Sequence, residues 1–187
     1  MGAMDSTNLD KVIIVNEKNQ VIGQMGKDKA HMGKGNLHRA ISVFLFNSLG
    51  QLLIQKRSIH KIVAAELWAN TACGNVRQGE THLECALRRL MEELNIAGVQ
   101  LKKIGTVRYF YEFNNGYSEN EIDTVFVGQF SKKPDFNKKE VSDYEYINWD
   151  ELLSQLKNDE SKYAPWVNIL LGDEHISKEI NNFIKEL

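Results

Sequence analysis

Residues 74–96 read GNVRQGETHLECALRRLMEELNI, and this stretch decides the fold of the chain. A glycine loop comes first, and the apolar residues behind it recur at helical spacing, which predicts a helix over residues 81–94. Three acidic side chains surround that helix: Glu80, Glu92 and Glu93. Mg²⁺ takes oxygen ligands, often one or two carboxylates together with substrate phosphates. The stretch is therefore a candidate platform for a metal diphosphate.

The acidic residues of this helix also have a purely structural interpretation. Glu84 with Arg88, and Arg88 with Glu92, are i,i+4 pairs of the kind that stabilise a solvated helix face. For acids taken one at a time, this interpretation is the better one. The loop and helix together, however, resemble the Nudix box. The resemblance departs from the box at Arg89, where Glu is usual, and at Asn95, where Gly is usual.

Composition limits the class of protein. The chain has 187 residues, 42% of them hydrophobic and 26% charged, which suits one globular domain with a substantial core. A net charge of −2 predicts neither a nucleic-acid nor a membrane partner. No apolar run approaches the roughly 20 residues that span a bilayer. Cys73 and Cys85 do not form a disulfide framework, which favours a reduced, cytoplasmic location.

The pattern outside the box predicts alternating strands and helices. Residues 1–10 are interpreted as a tag remnant and flexible terminus, and residues 11–187 as one domain with a Nudix core over about 38–168. Strands are predicted at residues 11–15, 20–23, 39–46, 52–56, 67–72, 107–113, 122–130 and 144–147. Further helices are predicted from Asp150 and over residues 163–171 and 174–187, and residues 25–37 form a loop or a short broken helix. This order predicts an α/β or α+β sandwich.

Segments on both sides of the box resemble type I isopentenyl-diphosphate delta-isomerases. They occur in the family's order at residues 38–47, 52–57, 68–74, 88–90 and 118–121. The likeness extends from about residue 12 to residue 166, nearly the whole chain. It implies a Nudix-type α/β/α sandwich with a mixed sheet. It also implies an isomerase that interconverts isopentenyl and dimethylallyl diphosphate, as a monomer or homodimer. The alternatives are a Nudix hydrolase that cleaves a nucleoside or prenyl diphosphate, and a non-catalytic binding protein.

The resemblance implies a divalent metal site of Mn²⁺ or Zn²⁺ type. Its ligand positions are His31, His38, Asn75, Glu119 and Glu121. Glu119 and Glu121 are two residues apart, so on a strand both would point to one face. Asn75 departs from the family, which has His there. An amide oxygen is a weaker ligand than imidazole and favours harder ions such as Mg²⁺ or Mn²⁺.

The reaction implied by the resemblance moves a double bond. One carbon must gain a proton and another must lose one, and the family assigns these two roles to Cys73 and Glu121. Tyr109 matches the family's tyrosine and could hydrogen-bond Glu121, a role for which strand alternation and chain context favour it over Tyr111. Trp166 matches the aromatic residue that faces the carbocation.

A diphosphate needs cations, and four residues match family positions that face it: Lys27, Arg57, Lys61 and Arg89. Glu93 and the main-chain carbonyl of Cys73 match the family's site for a Mg²⁺ that bridges to the substrate diphosphate. Arg89 replaces the glutamate that hydrolases use for metal-assisted water attack, which argues for holding a diphosphate over cleaving one. Ala65-Glu66 stand where the family often has Pro-Gly, which changes the backbone freedom of this loop, so we expect the fit of the substrate to differ.

Overall fold

The computed structural model describes residues 11–187, so the predicted tag remnant at residues 1–10 lies outside the described residues. Strands and helices alternate through the described part and end in helices. The strands are β1 (Lys11–Val15), β2 (Val21–Gly26), β3 (His38–Phe46), β4 (Gln51–Arg57), β5 (Trp68–Ala69), β6 (Ala72–Asn75), β7 (Leu101–Glu112), β8 (Ser118–Gln129) and β9 (Val141–Asn148). The α-helices are α1 (Lys27–His31), α2 (His82–Leu94), α3 (Trp149–Asn158), α4 (Pro165–Gly172) and α5 (Glu174–Lys185).

Strand β3 is the centre of a mixed sheet. It pairs in parallel with β8 over its whole length, from His38 opposite Glu121 to Phe46 opposite Gln129. On its other side it pairs antiparallel with β6, where Ser42 lies opposite Cys73. Strand β7 continues the sheet beyond β8 as an antiparallel hairpin partner. Residues 72–75 and 118–121, which are distant in sequence, therefore flank the same strand.

Helices cover both faces of the sheet, as the α/β/α sandwich requires. On one face, α2 buries Cys85, Leu90 and Leu94 in a cluster with apolar residues of β3. On the other face, α3, α4 and α5 bury a second cluster that includes Trp149, Trp166 and other apolar side chains of the sheet and helices. The predicted fold class is confirmed. Within residues 11–187, no helix is long and apolar enough to cross a membrane.

Helix α2 begins and ends where its local chemistry dictates. Thr81 is the N-cap, and with Glu84 it forms a capping box in which each side chain accepts a hydrogen bond from the other's backbone. The C-cap is Asn95, with φ of 52° in the left-handed region. Asn is among the few residues other than Gly that adopt this conformation readily. The departure from the usual box glycine at this position is therefore compatible with the same helix end.

Several predicted boundaries differ from the observed ones. The strand predicted at residues 107–113 is the second half of β7, which begins at Leu101. The strand predicted at 67–72 is two short strands, β5 and β6, which pair with different neighbours, β4 and β3. The glycine-rich segment at 25–37 contains the five-residue helix α1, in agreement with the predicted loop or short broken helix. The differences between the strands come from pairing partners across the sheet, which local sequence patterns do not encode.

Candidate active site

A single cleft of about 510 Å³ collects the predicted site residues. It lies where β3, β6 and β8 run side by side, under α1, the loop after β4 and the first residues of α4. Eleven of the thirteen predicted side chains line it: Lys27, His31, Arg57, Lys61, Cys73, Asn75, Arg89, Tyr109, Glu119, Glu121 and Trp166. The other two, His38 and Glu93, are buried against it and are bonded to residues of the lining.

Two histidines and two glutamates form a buried acid–imidazole cluster, defined as His31, His38, Glu119 and Glu121. One ligand atom from each lies within 4.8 Å of the others. His31 ends α1, His38 begins β3, and the glutamates alternate along β8. The sheet register brings His38 opposite Glu121, because β3 and β8 are parallel neighbours. The predicted common face of Glu119 and Glu121 is thus present.

Backbone carbonyls fix the orientation of both histidine rings in the cluster. Each Nδ1–H donates to a backbone carbonyl, of Lys27 for His31 and of Asn36 for His38, at 2.7 Å. Burial lowers the pKa of His38. The Nε2 atom of His31 lies 3.1 Å from Glu119 Oε2, and that of His38 lies 3.2 Å from Glu121 Oε1.

Nitrogen and oxygen atoms that can bind a cation therefore converge inside the cluster. Glu119 Oε2 is buried without a hydrogen-bond donor among residues 11–187. Imidazoles fixed through Nδ1 by carbonyls, with carboxylates beside them, are the arrangement in which proteins hold divalent metals. The donor set fits a divalent cation.

Glu121 is the most connected member of the cluster. The Tyr109 hydroxyl donates to its Oε2 at 2.5 Å, and Asn75 Nδ2 donates to its Oε1 at 3.0 Å. Burial and the neighbouring Glu119 charge raise the pKa of Glu121. Tyr109 lies opposite Glu121 in the β7–β8 ladder, while Tyr111 lies opposite Glu119. Tyr109 and Tyr111 are two residues apart and lie on the same face of the strand, so the predicted argument from alternation does not distinguish them. The register of β7 against β8 does.

Asn75 enters the cluster as a hydrogen-bond donor. Its Nδ2 donates to Glu121, so in this arrangement the amide supports the Glu121 carboxyl group. An amide that donates through nitrogen offers its oxygen elsewhere, and a direct metal bond would require the opposite orientation. The predicted role of Asn75 as a ligand stays a prediction.

Cys73 lies on β6, on the other side of β3 from Glu121. Burial raises the pKa of its thiol to about 12, against the opposing effect of Arg57. Arg57 Nη1 is 3.8 Å from the sulfur. Cys73 is therefore a neutral thiol at physiological pH, with a proton to give.

Trp166 closes the cleft from the helical side. Pro165 starts α4, a position at which its missing N–H costs nothing, and this places Trp166 in the first turn. The indole Nε1–H donates to Asn70 Oδ1 at 3.0 Å, which fixes the ring. The guanidinium carbon of Arg57 is 4.8 Å from the ring centroid, so this aromatic face already holds a cation.

The four predicted diphosphate-binding cations, which we call the cation cradle, are Lys27, Arg57, Lys61 and Arg89. Arg57 donates to the carbonyls of Val63 and Ala64, which shape the loop after β4. Lys61 pairs with Glu140. Lys27 is exposed at the mouth of the cleft.

Arg89 is held by acids on three sides. Its guanidinium pairs with Glu92 at 2.6 Å, with Glu140 at 2.9 Å, and with Glu93. Its Nε also donates to the Cys73 carbonyl at 3.1 Å. Arg89 thus donates hydrogen bonds to both groups that were predicted to bind Mg²⁺, the Glu93 carboxylate and the Cys73 carbonyl. It lies so close to Gly74 that a Cβ there would be 2.7 Å from its side chain, which explains a glycine at that position.

Glu140 was missed by the sequence analysis. It precedes β9 in the polar segment 137–140, which matches no motif and shows no periodicity. Only its spatial position, between Lys61 and Arg89, marks it as part of the site. No signal in the sequence could have identified it without the pairing of β9 with β4.

Comparison with known proteins shows the family to which this chain is similar. The NUDIX domain matches residues 36–167. Isopentenyl-diphosphate Delta-isomerase 2 of Photorhabdus laumondii is 40% identical over 161 residues, covering 86% of this chain and 90% of the relative. Isopentenyl-diphosphate Delta-isomerase of Pectobacterium atrosepticum is 37% identical, covering 86% and 89%. Among solved structures, DR0079 from Deinococcus radiodurans superposes with a TM-score of 0.67 at 26% identity, covering 80% of this chain and 90% of that one.

Proposed function

Because the chain belongs to the NUDIX domain family and, within it, to the isopentenyl-diphosphate Delta-isomerases, we propose that it interconverts isopentenyl and dimethylallyl diphosphate in this cleft. The observation that carries the proposal is the placement of a neutral thiol, Cys73, and a hydrogen-bonded carboxyl group, Glu121, on the two strands that flank β3.

Cys73 and Glu121 are the proposed proton-transfer groups. Moving the double bond adds a proton at one carbon and removes one at another. Because the reaction is reversible, each group donates in one direction and accepts in the other. General acid–base catalysis by positioned side chains contributes about 10²–10⁴-fold to rate. The hydrogen bonds from Tyr109 and Asn75 hold the Glu121 carboxyl in place for this step.

The acid–imidazole cluster is the proposed site of a divalent metal, Mn²⁺ or Zn²⁺. His31, His38, Glu119 and Glu121 would hold it, with Asn75 beside them. Its chemistry there would be to fix the Glu121 carboxyl group and lower its affinity for protons. A separate Mg²⁺ is proposed to arrive with the substrate diphosphate and to use Glu93 and the Cys73 carbonyl. For that, Arg89 must transfer its hydrogen bonds from these groups to phosphate oxygens.

Trp166 is the proposed partner of the tertiary carbocation. A desolvated cation on an aromatic face gains about 2 kcal/mol or more. Enzymes lower activation barriers by roughly 8–23 kcal/mol in total. Trp166 therefore supplies only a small share, and positioning and water exclusion by the closed cleft supply the larger one.

The contacts of the box glutamates argue against the hydrolase alternative. Glu80 accepts from Arg88 at 2.6 Å, Glu92 from Arg88 and Arg89, and Glu93 from Arg89. Metal-assisted attack by water requires carboxylates free to bind metal and orient the water. Here Glu80 and Glu92 are paired with Arg88, and Arg89 stands where a hydrolase has a further carboxylate, so Glu93 is the box carboxylate that remains for the proposed Mg²⁺ once Arg89 turns to the diphosphate.

The test is incubation with isopentenyl diphosphate, Mg²⁺ and Mn²⁺, with the two isomers distinguished by proton NMR and phosphate release followed in parallel. We expect dimethylallyl diphosphate and no released phosphate. Cys73→Ala should abolish isomerisation and leave pyrophosphate binding unchanged within about twofold. Cys85→Ala is the matched control, because Cys85 is the other free cysteine and packs in the core under α2. Release of phosphate by the wild type, or full activity of Cys73→Ala, would overturn the proposal.

A further inference from the structure

Glu140 is an acid placed among the cations of the cleft. Its Oε2 pairs with Arg89 Nη2 at 2.9 Å and with the Lys61 ammonium group. Lys61 comes from the loop after β4 and Arg89 from α2, so one carboxylate oxygen joins cations from two separate elements. These two cations hold the pKa of Glu140 at about 2, although burial opposes them. Glu140 is therefore an anion at every physiological pH.

The backbone around Glu140 holds this carboxylate in place from both sides. The Asn137 N–H donates to the Glu93 carbonyl at 2.9 Å, which ties the segment to the end of α2. The Ser58 N–H donates to the Glu140 carbonyl at 3.1 Å, and Ser58 Oγ donates to the Lys139 carbonyl at 2.9 Å. The segment is thus bound to the same two elements that carry Arg89 and Lys61. This is a built contact and not a chance surface pair.

We propose that the Glu140 carboxylate occupies a phosphate position of the cation cradle and competes with the substrate diphosphate, which makes Glu140 a specificity-determining residue. This competition rests on the proposed function only because it takes Lys61 and Arg89 as ligands of the diphosphate. An anion must displace Glu140 from both cations to enter the cradle. A diphosphate carries enough charge and enough oxygens to replace all of these contacts. A singly charged anion would only replace the Glu140 carboxylate by a group of the same charge, with no net gain in binding.

The competition has a consequence for the empty cleft. Without an anion between them, Lys61 would lose its carboxylate partner and would lie near Arg89, which only Glu92 and Glu93 would then neutralise. Glu140 compensates both cations, which keeps the cradle assembled before substrate arrives. The contact therefore lowers affinity for every phosphate ligand while it preserves the positions of the two cations.

Calorimetric titration of inorganic pyrophosphate at fixed Mg²⁺ tests the competition without requiring isomerisation. Glu140→Gln keeps the size of the side chain and its hydrogen-bonding oxygen but removes the charge. We expect it to bind pyrophosphate about tenfold more tightly, the equivalent of about 1.4 kcal/mol. In the isomerase assay, the same variant should lower KM for isopentenyl diphosphate while kcat stays within about twofold.

Asp143→Asn is the matched control, because Asp143 is exposed on β9 outside the lining and its loss changes net charge equally. It should bind pyrophosphate as the wild type does. Weaker or unchanged pyrophosphate binding by Glu140→Gln, with its thermal unfolding midpoint retained, would overturn the competition. Tightening of the same size in Asp143→Asn would also overturn it, since a general charge effect would then be sufficient. Tighter pyrophosphate binding by Glu140→Gln, in a protein whose wild type shows no isomerisation, would contradict the proposed function but support the competition.

Discussion

The two ends of the cleft solve the problem of buried charge in opposite ways. In the acid–imidazole cluster, the Nε2 atoms of both histidines lie beside the carboxylates, and Glu119 keeps an oxygen with no donor among the described residues. In the cation cradle, Arg89 is paired with three glutamates and Lys61 with one of the same three. The cluster thus keeps a buried acceptor unsatisfied, whereas Arg89 and Lys61 of the cradle already have carboxylate partners.

This difference distinguishes a preformed site from one that must exchange partners. A cation entering the cluster meets ligands that are already aimed and fixed by backbone carbonyls. A diphosphate entering the cradle must take Arg89 and Lys61 from carboxylates that hold them. We therefore expect changes in the cluster to act mainly on activity and metal binding. Changes in the cradle should act on stability and substrate affinity.

The largest effect should come from Glu121→Gln in the cluster. The change removes the proposed proton-transfer group and a proposed metal ligand together, so formation of dimethylallyl diphosphate should fall by about 10²–10⁴-fold. Divalent metal bound after dialysis, measured by elemental analysis, should fall as well. Glu112→Gln, an exposed acid on β7, is the control and should retain both properties. Activity within tenfold of wild type would remove Glu121 from the mechanism.

Arg89→Met tests whether the cradle carries stability. Glu93 is 2% exposed, and without Arg89 its charge would be buried beside only the amide of Gln55. Loss of one partner of a buried pair costs about 3–5 kcal/mol, and urea unfolding should show a loss of that order. Adding Glu93→Gln to the same chain should restore part of the lost stability, because the unpaired buried charge of Glu93 is then removed.

Arg108→Met provides the comparison for Arg89→Met. Arg108 pairs with Glu17 on the surface, where the side chains are 52% and 71% exposed. Such pairs contribute about 0–1 kcal/mol. If both arginine variants lose the same amount, the cradle is no more than a set of surface pairs and the contrast between the two ends fails.

Tyr109→Phe separates positioning from proton transfer within the cluster. Hydrogen bonds to charged groups contribute about 1.5–3 kcal/mol, so kcat should fall by about 10–100-fold. The hydroxyl lowers the pKa of Glu121, so its removal should raise that pKa and move the acidic limb of the pH–rate profile to higher pH. A purely structural tyrosine would leave the profile in place. Tyr111→Phe, on the same face but opposite Glu119, should change neither quantity.

Asn75→His should have the smallest effect of these changes, and it tests whether residue 75 can reach a metal bound in the cluster. An imidazole in place of the amide adds a stronger ligand beside Glu121, so Mn²⁺ or Zn²⁺ should bind about tenfold more tightly by calorimetry. Asn182→His, at an exposed position on α5, controls for an added histidine. Unchanged metal affinity would mean that residue 75 does not reach the metal.

The cluster could be anticipated from sequence and the cradle only in part. Residues 118–121 and 38–47 carry family motifs, and alternation alone places Glu119 and Glu121 on one face. The choice between Tyr109 and Tyr111 needed the β7–β8 register, which local patterns do not contain. Glu140 lies in a segment without a motif, and its role depends on a long-range pairing of β9 with β4. The Arg89 contacts with Glu93 and the Cys73 carbonyl also emerged only from packing, since spacing shows neighbours on a helix but not their partners beyond it.

The parallel pairing of β3 with β8 also bears on how this protein folds. His38 and Glu121 are 83 residues apart in the chain, yet they face each other in the ladder. Contacts of such sequence separation are slow to form, because the intervening loop must close before any pairing energy is gained. The β7–β8 hairpin, with Tyr109 already beside Glu121, can form early and locally. His38 joins Glu121 only when β3 docks, so the proposed metal site should be completed after the hairpin has formed and together with the native sheet.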